Sequence, residues 1–333
     1  MDEIFYGRLA KRHLFELREF CAANWGSEHP LIHNEKMFDW YYGGNDINMV
    51  IAYTKTSDSI SIQGVCGYIL TNSSSSPDVF LSYILSKKGI KFGVSLRLIE
   101  YIKSITNART INCNNIRRET RGIYEFLNYT VADMQHYYRL NPSIKEYSLS
   151  CVKAYEEKEV LSKKTEFCRI STASDLDDFN FSEYIDNKPY KDKAYLLRRY
   201  LNYPFHEYMV YSMTLKDERA LLVLRRIEYE SAVMLRVVDF IGERNLIKES
   251  GYLLDRLMKE NGAEFIDWYS YGVSEEEMIR AGFSLCKEDK DDIVPFYLSP
   301  PVMENVKITV FVSDSEDFMM FRADGDQDRP NLG

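Results

Sequence analysis

The chain has 333 residues, 45% of them hydrophobic and 28% charged, with a net charge of −9. That is enough apolar material for two ordinary domains or one large one, and the acidic balance argues against a nucleic-acid-binding surface over much of the chain, while Lys87, Lys88 and Lys91 form a local basic patch. The start, Met1-Asp2-Glu3-Ile4-Phe5, has no basic n-region, and no apolar run approaches the roughly 20 residues that span a bilayer, so the expectation is a cytoplasmic protein without a membrane span.

A helix is expected over residues 9–23, where Leu14, Leu17, Phe20 and Cys21 make one apolar stripe. Residues 25–30 read as a loop and 38–42 as an aromatic segment that ends at Gly43-Gly44. Strands are expected over 49–53 and 60–70, with a turn between them. After the Ser- and Pro-rich loop 73–77 comes a strand over 79–85, then the basic loop Ser86-Lys87-Lys88-Gly89-Ile90-Lys91-Phe92-Gly93, then an amphipathic helix from Val94 to about Thr106. A strand over 110–113 and a short helix ending in Ile123-Tyr124-Glu125-Phe126-Leu127-Asn128-Tyr129 follow. A strand that passes to a helix through a Lys/Gly loop builds an anion cradle, because the loop's free N–H groups and the helix's positive end point at the same place.

Residues 152–164 are highly charged and mark the expected boundary between domains 1–150 and 151–333. The second half repeats the plan. Residues 175–200 are helical in pattern, 208–212 and 220–227 form a hairpin, and 233–240 is a strand. Residues 245–261 are a helix, 265–269 a strand, and 275–281 a short helix closed by Gly282-Phe283. Leu127-Asn128-Tyr129 and Ala281-Gly282-Phe283 occupy matching places, which is the mark of a duplicated unit. Strands over 306–312 and 318–322 precede a polar run from Asp324 to Arg329 that reads as a solvated tail. The fold class expected is α+β, with two mixed, mostly antiparallel sheets flanked by helices. The six cysteines and five histidines show no metal-ligand spacing, so no metal is expected.

These residues resemble the GCN5-related N-acetyltransferase (GNAT) family, as two tandem copies covering most of the chain. Lys88-Gly89-Ile90-Lys91-Phe92-Gly93 stands where the family has Arg/Gln-x-x-Gly-x-Gly/Ala, with Lys91 at the middle glycine. Ile123 to Tyr129 stands where it often has Leu-Tyr-Glu-x-x-Gly-Phe, with Asn128 at the glycine, a residue that tolerates a left-handed backbone. The tail looks like that of tandem GNAT proteins from bacterial polysaccharide gene clusters. In the second half Asp239-Phe240-Ile241-Gly242-Glu243-Arg244-Asn245 stands at the loop, acidic and with one glycine.

The resemblance implies one acyl-CoA site, in the first half, with acetyl-CoA the expected co-substrate. Lys88, Gly89, Lys91, Phe92, Gly93 and Val94 would hold its diphosphate, and the backbone of Tyr83, Ile84 and Leu85 would pair with its pantetheine arm. Tyr124 maps onto the proton donor to the leaving thiolate; its plain alternative is a core aromatic. A base or ordered water must take the amine's proton, and Asp78, Asn114 and Asn115 are the candidates, with His29 and Glu28 behind them. In the second half Asp239, Asp267, Tyr269 and Tyr271 end strands and are candidates for binding the acceptor, which the resemblance suggests is an amino sugar on a nucleotide. Two rivals are a Fem-like transferase using aminoacyl-tRNA, against which the acidic balance counts, and a non-catalytic sugar-nucleotide-binding protein.

Overall fold

Runs of β-branched and aromatic residues between short polar turns make the first sheet. Its strands β1 (Phe5–Arg8), β2 (Met49–Lys55), β3 (Ile60–Leu70), β4 (Asp78–Ser86) and β5 (Thr110–Cys113) are neighbours in that order. The first three pairings are antiparallel and β4–β5 is parallel. Helices α1 (Leu14–Trp25), α2 (Pro30–His33), α3 (Glu35–Tyr42) and α4 (Val94–Thr106) accompany them. Val94, Leu98, Ile99 and Ile102 form the buried stripe of α4, which packs on β2 and β3. Burying each such side chain is worth about 1.5–3 kcal/mol.

The computed structural model describes residues 3–25, 29–44, 46–57, 59–90, 93–152, 164–287, 292–297 and 302–330. These form two units that part between Asn114 and Asn115. The second unit contains α5 (Arg121–Phe126), β6 (Thr130–Asp133), β7 (Gln135–Leu140), β8 (Glu166–Ile170), α6 (Lys193–Leu196), β9 (Met209–Leu215), β10 (Glu218–Tyr229) and β11 (Ala232–Gly242). It continues with α7 (Gly251–Glu260), β12 (Phe265–Tyr271), α8 (Glu275–Arg280), β13 (Ser284–Leu285), β14 (Thr309–Val312) and β15 (Met320–Phe321). Its main sheet runs β13-β7-β12-β11-β10-β9-β8, with β15 added to β12, and β11–β12 is its parallel pair. β6 pairs with β14. Leu222, Leu224, Val237, Phe240, Leu253, Leu254, Leu257 and Trp268 meet in one core between this sheet and α7.

The α+β class and the two mixed, mostly antiparallel sheets stand as the sequence predicts. Several details differ. The units part between Asn114 and Asn115 where the charge pattern suggested 150, and β7 lies inside the main sheet of the second unit, hydrogen bonded along β12. The charged stretch 153–163 lies outside the described residues. β1 and β7 carry too little alternation to be seen in the sequence and are defined by their partners. Over 174–201 the helical parts are two short 3₁₀ turns, Ser174–Leu176 and Phe181–Tyr184, and a run from Lys193 to Leu201 whose second half is π-helical, rather than one helix. Asn180 and Asp192 accept from the N–H groups of Ser182 and Tyr195 and start new turns, and Pro189 lacks the N–H a continuing helix needs. The 245–261 helix divides at Ser250 into a 3₁₀ turn and α7. The expected tail is no tail: residues 323–328 are buried. Among the described residues no helix is long and apolar enough to cross a membrane, and no group of His, Cys, Asp and Glu is arranged to hold a metal ion.

Candidate functional site

Parallel pairing of β4 with β5 covers only Asp78–Leu81 against Thr110–Cys113. Just beyond, β4 carries one residue more than β3: Cys66 faces Ile84 and Tyr68 faces Leu81, which leaves Ser82 and Tyr83 opposite Gly67. An extra residue bends a strand and raises its twist, so β4 leaves β5 at this point. β3 holds its other side as far as Ser86. Within the first unit, no strand among the described residues pairs with Ser82–Ser86 on the β5 side. Main-chain groups along such an edge await a strand-like partner. Tyr83, Ile84 and Leu85 are three of its residues.

The strand then enters the loop. The Lys87 N–H donates to the Gln63 carbonyl at 2.9 Å and the Ile90 N–H to the Lys87 carbonyl at 3.2 Å. Gly89 and Gly93 have φ of 75° and 95°, and a Cβ at either would meet nothing within 4 Å. Glycine is therefore needed there for its backbone conformation and not for space. Gly93 is the residue before α4, and no side chain caps that helix end. Its first-turn N–H groups and its dipole favour an anion. Lys87, Lys88 and Gly89 are exposed, while Val94 is buried in the first turn of α4. Lys91 and Phe92 lie outside the described residues. A concavity of about 930 Å³ borders the loop on its β3 side, walled by residues that include Tyr6, Lys55, Gln63, Lys87, Ile90 and Arg97. Lys55, Lys87 and Arg97 give that wall its positive charge.

Aromatic side chains flank the bulge. The Tyr83 ring lies 4.8 Å from Trp25, stacked, and 5.0 Å from His29, edge-on. The Tyr42 and Ser82 hydroxyls are 2.7 Å apart. Burial, with a smaller contribution from Cys21, raises the Tyr83 phenol well above its ordinary range, so it stays protonated. Glu28 lies outside the described residues. These contacts come from separate parts of the chain, and no periodicity signals them; the Trp25–His29 loop is the single part visible in the sequence.

The other expected site residues fall differently. Asp78 is buried and committed: Arg109 Nε and Nη2 donate to its two oxygens at 3.0 and 2.5 Å, and the Thr110 hydroxyl adds a third bond at 2.7 Å. It is a structural ion pair that ties β4 to β5, not an open base. Asn114 is buried one residue past the last parallel pair, at the mouth of the opening strands. In the second unit Tyr124 is buried on α5 and stacks on Phe311 with ring centroids 4.1 Å apart.

The four acceptor candidates do not form an open site. Asp239 is fully buried, 2.5 Å from Lys191 Nζ, and it accepts hydrogen bonds from the Tyr200 hydroxyl and the Phe240 N–H. Asp267 is fully buried and gripped by Arg236 at 2.8 and 2.6 Å, with His136 at 3.1 Å. Burial would raise the Asp267 carboxyl, but Arg236 and His136 outweigh it and hold it below the usual range. Tyr269 is fully buried and stacks on His136 at 3.8 Å. Of the four, only Tyr271 keeps partial exposure. Strand-end position suggested a cleft; the carboxylates instead satisfy buried cations, as buried charge must.

Compared by sequence, the chain matches no family model and none of the curated proteins. Compared by structure, it is similar to a GCN5-related N-acetyltransferase from Anabaena variabilis ATCC 29413, with a TM-score of 0.57, 10% identity, and coverage of 93% of this chain and 72% of that one. It is also similar to a GCN5-related N-acetyltransferase from Kribbella flavida, with a TM-score of 0.52, 8% identity, and coverage of 93% and 71%. At such identities the likeness is one of fold. The chain has the fold of the GCN5-related N-acetyltransferases, with two sheets of that plan.

Proposed function

We propose that the chain is an acyl-CoA-dependent N-acyltransferase acting on an amine, with its cofactor site in the first unit. The observation that carries the reading is the course of β4, which leaves β5 at a bulge, has no strand on that side among the described residues of the first unit, and leads toward Gly93 at the end of α4 that no side chain caps. A pantetheine arm would add as a strand along Tyr83, Ile84 and Leu85. The diphosphate would sit on main-chain N–H groups of the loop and α4, with Lys88 as a cation of the loop and Lys91 the further cation that the resemblance implies. Acetyl is the acyl group we assign, the thioester supplies the activated carbonyl, and the reaction takes place in the cytoplasm.

In this reading the amine attacks the thioester carbonyl directly. An N–C bond forms and the C–S bond breaks, with no acyl-enzyme stage. Main-chain N–H groups along Ser82–Leu85 stabilise the charge that develops on the carbonyl oxygen. With Asp78 committed to Arg109, the amine's proton passes to a water ordered by Asn114. Tyr124 is the proton donor that the resemblance assigns to the departing thiolate, since a phenol can donate without being charged at rest. Most of the rate comes from positioning. The acceptor we propose is an amino sugar on a nucleotide carrier, in surface polysaccharide assembly; the support is the resemblance of residues 323–331 to the tail of tandem GNAT proteins from such gene clusters.

Thiol release from acetyl-CoA, followed across a panel of amine-bearing sugar nucleotides, tests this reading. Turnover is expected with one member or a few, and thiol release with none would contradict the assigned acceptor class. Tyr124→Phe should then lower kcat by about 10²-fold with little change in KM for acetyl-CoA. An unchanged kcat would remove Tyr124 from the mechanism.

A further inference from the structure

The second unit repeats the plan of the first up to the point where its parallel strands part. β11 and β12 pair at Leu235–Val237 against Ile266–Trp268. β11 then carries an extra residue, since Val223 faces Asp239 while Leu224 faces Val237. This is the arrangement of β4 at Ser82 and Tyr83, and it should open a second groove. The chain's own late segment lies there instead. Met320 and Phe321 pair with Tyr271 and Ser270 of β12. The Ala323 N–H donates to the Val238 carbonyl of β11 at 2.9 Å, and the Met319 N–H donates to the Lys188 carbonyl at 2.8 Å.

We propose that residues 318–328 are the resident occupant of this second groove: an internal strand that takes the place an acyl-CoA arm would have, so that the chain carries one acyl-CoA and not two. The count of one rests on the function proposed above; the occupancy does not.

The segment is fitted, not merely adjacent. Phe318, Met320, Phe321 and Ala323 are all at most 1% exposed. The Phe321 ring lies 6.0 Å from Trp268 and 6.5 Å from Phe240. The space left beside Lys191, Phe240, Gly242 and Phe321 is about 20 Å³. That is room on the scale of a single water and far too little for a thioester arm. Gly272 has φ of 81°, and a Cβ there would lie 1.9 Å from the Phe318 carbonyl oxygen, so glycine is what lets the segment pass.

Charged residues pin the segment at its middle and at its end. Asp324 accepts from the Phe321 N–H at 2.8 Å and lies 2.6 Å from Lys191 Nζ, which also binds Asp239 next to the bulge. Asp328 binds Arg225 at 3.1 Å and accepts from the Tyr208 hydroxyl at 3.0 Å. Where the first unit has its Lys/Gly loop, the second has Glu243, whose carboxylate faces the Asn245 N–H at 3.5 Å and repels a diphosphate. Strand addition is an established way to satisfy an open sheet edge; here the added strand belongs to the same chain.

Hydrogen exchange read by mass spectrometry on the full chain, with and without millimolar acetyl-CoA, tests this. The amides of 319–323 should exchange as slowly as those of β10 and β11, and acetyl-CoA should slow exchange over 82–97 at least tenfold while leaving 319–323 unchanged. Fast exchange of 319–323 in the free chain would overturn the occupancy. Faster exchange of 319–323 on adding acetyl-CoA would overturn it too, because the cofactor would then be displacing the segment. If acetyl-CoA slowed no amide, the acyl-transfer reading would fall, while slow exchange of 319–323 would still uphold the resident strand.

Discussion

Gly93→Val should weaken acetyl-CoA binding about a hundredfold while lowering Tm by only a few degrees. Gly93 sits at φ 95° directly before α4, and a β-branched residue there is strained by about 1–3 kcal/mol. Nothing lies within 4 Å of the position its Cβ would take, so the strain is relieved by reshaping the turn and not by disturbing the core. Reshaping the turn moves the N–H groups that would grip the diphosphate and misplaces the end of α4. A hundredfold loss is about 2.7 kcal/mol, the size of the strain plus one charge-assisted hydrogen bond. Titration calorimetry and a thermal melt on the same preparation separate the two effects. A variant that binds as tightly as the parent would show that the turn is not the cradle.

Lys191→Ala should be the most damaging single change in the second unit. Lys191 is buried between Asp239 and Asp324, at 2.5 and 2.6 Å. Burial alone would lower its ammonium, but the two carboxylates outweigh that and raise it. Deleting it leaves two buried carboxylates facing one another, at a cost of about 3–5 kcal/mol and a fall in Tm of roughly 10 °C. The loss should depend on pH. Burial is the main cause that lifts the Asp324 carboxyl to about 6, with Asp239 adding to it and Lys191 opposing. An acid whose pKa is raised on folding binds its proton more tightly in the native state, so its contribution to stability is present at low pH and is lost as pH rises through the window between about 4 and 6. Removing the opposing cation lifts that window further. The variant should therefore suffer less at pH 5 than at pH 8. Thermal melts at the two pH values check the sign, and an equal loss at both would mean that the carboxylates do not share Lys191. Adding Asp239→Asn and Asp324→Asn to the variant should recover most of the loss at pH 8.

The parts of this account that were legible in the sequence are those with a local signature. The stripe Val94, Leu98, Ile102 fixed α4, and Gly89 with Gly93 marked the turn before it. Asn128 stands at φ 59° and Gly282 at φ 89° in matching places, as the repeat required. What escaped has no local signature. A bulge is a one-residue shift against a partner strand, and Ser82-Tyr83 reads like any other strand pair. Asp78 reads as a candidate base because its partner, Arg109, lies 31 positions further on. The run Asp324 to Arg329 reads as solvated because its charges have no counterions nearby in sequence; in the folded chain Lys191 and Arg225 supply them. Composition can count such charges but cannot pair them.

The central claim is that the turn between Lys87 and Val94 holds a diphosphate. Calorimetric titration of the intact chain with acetyl-CoA, and in parallel with acetyl-pantetheine, which has the same thioester arm but no diphosphate, tests it most directly. The account predicts one equivalent of acetyl-CoA bound per chain and affinity for acetyl-pantetheine lower by about a hundredfold or more. Equal affinities for the two, or two equivalents of acetyl-CoA, would contradict it.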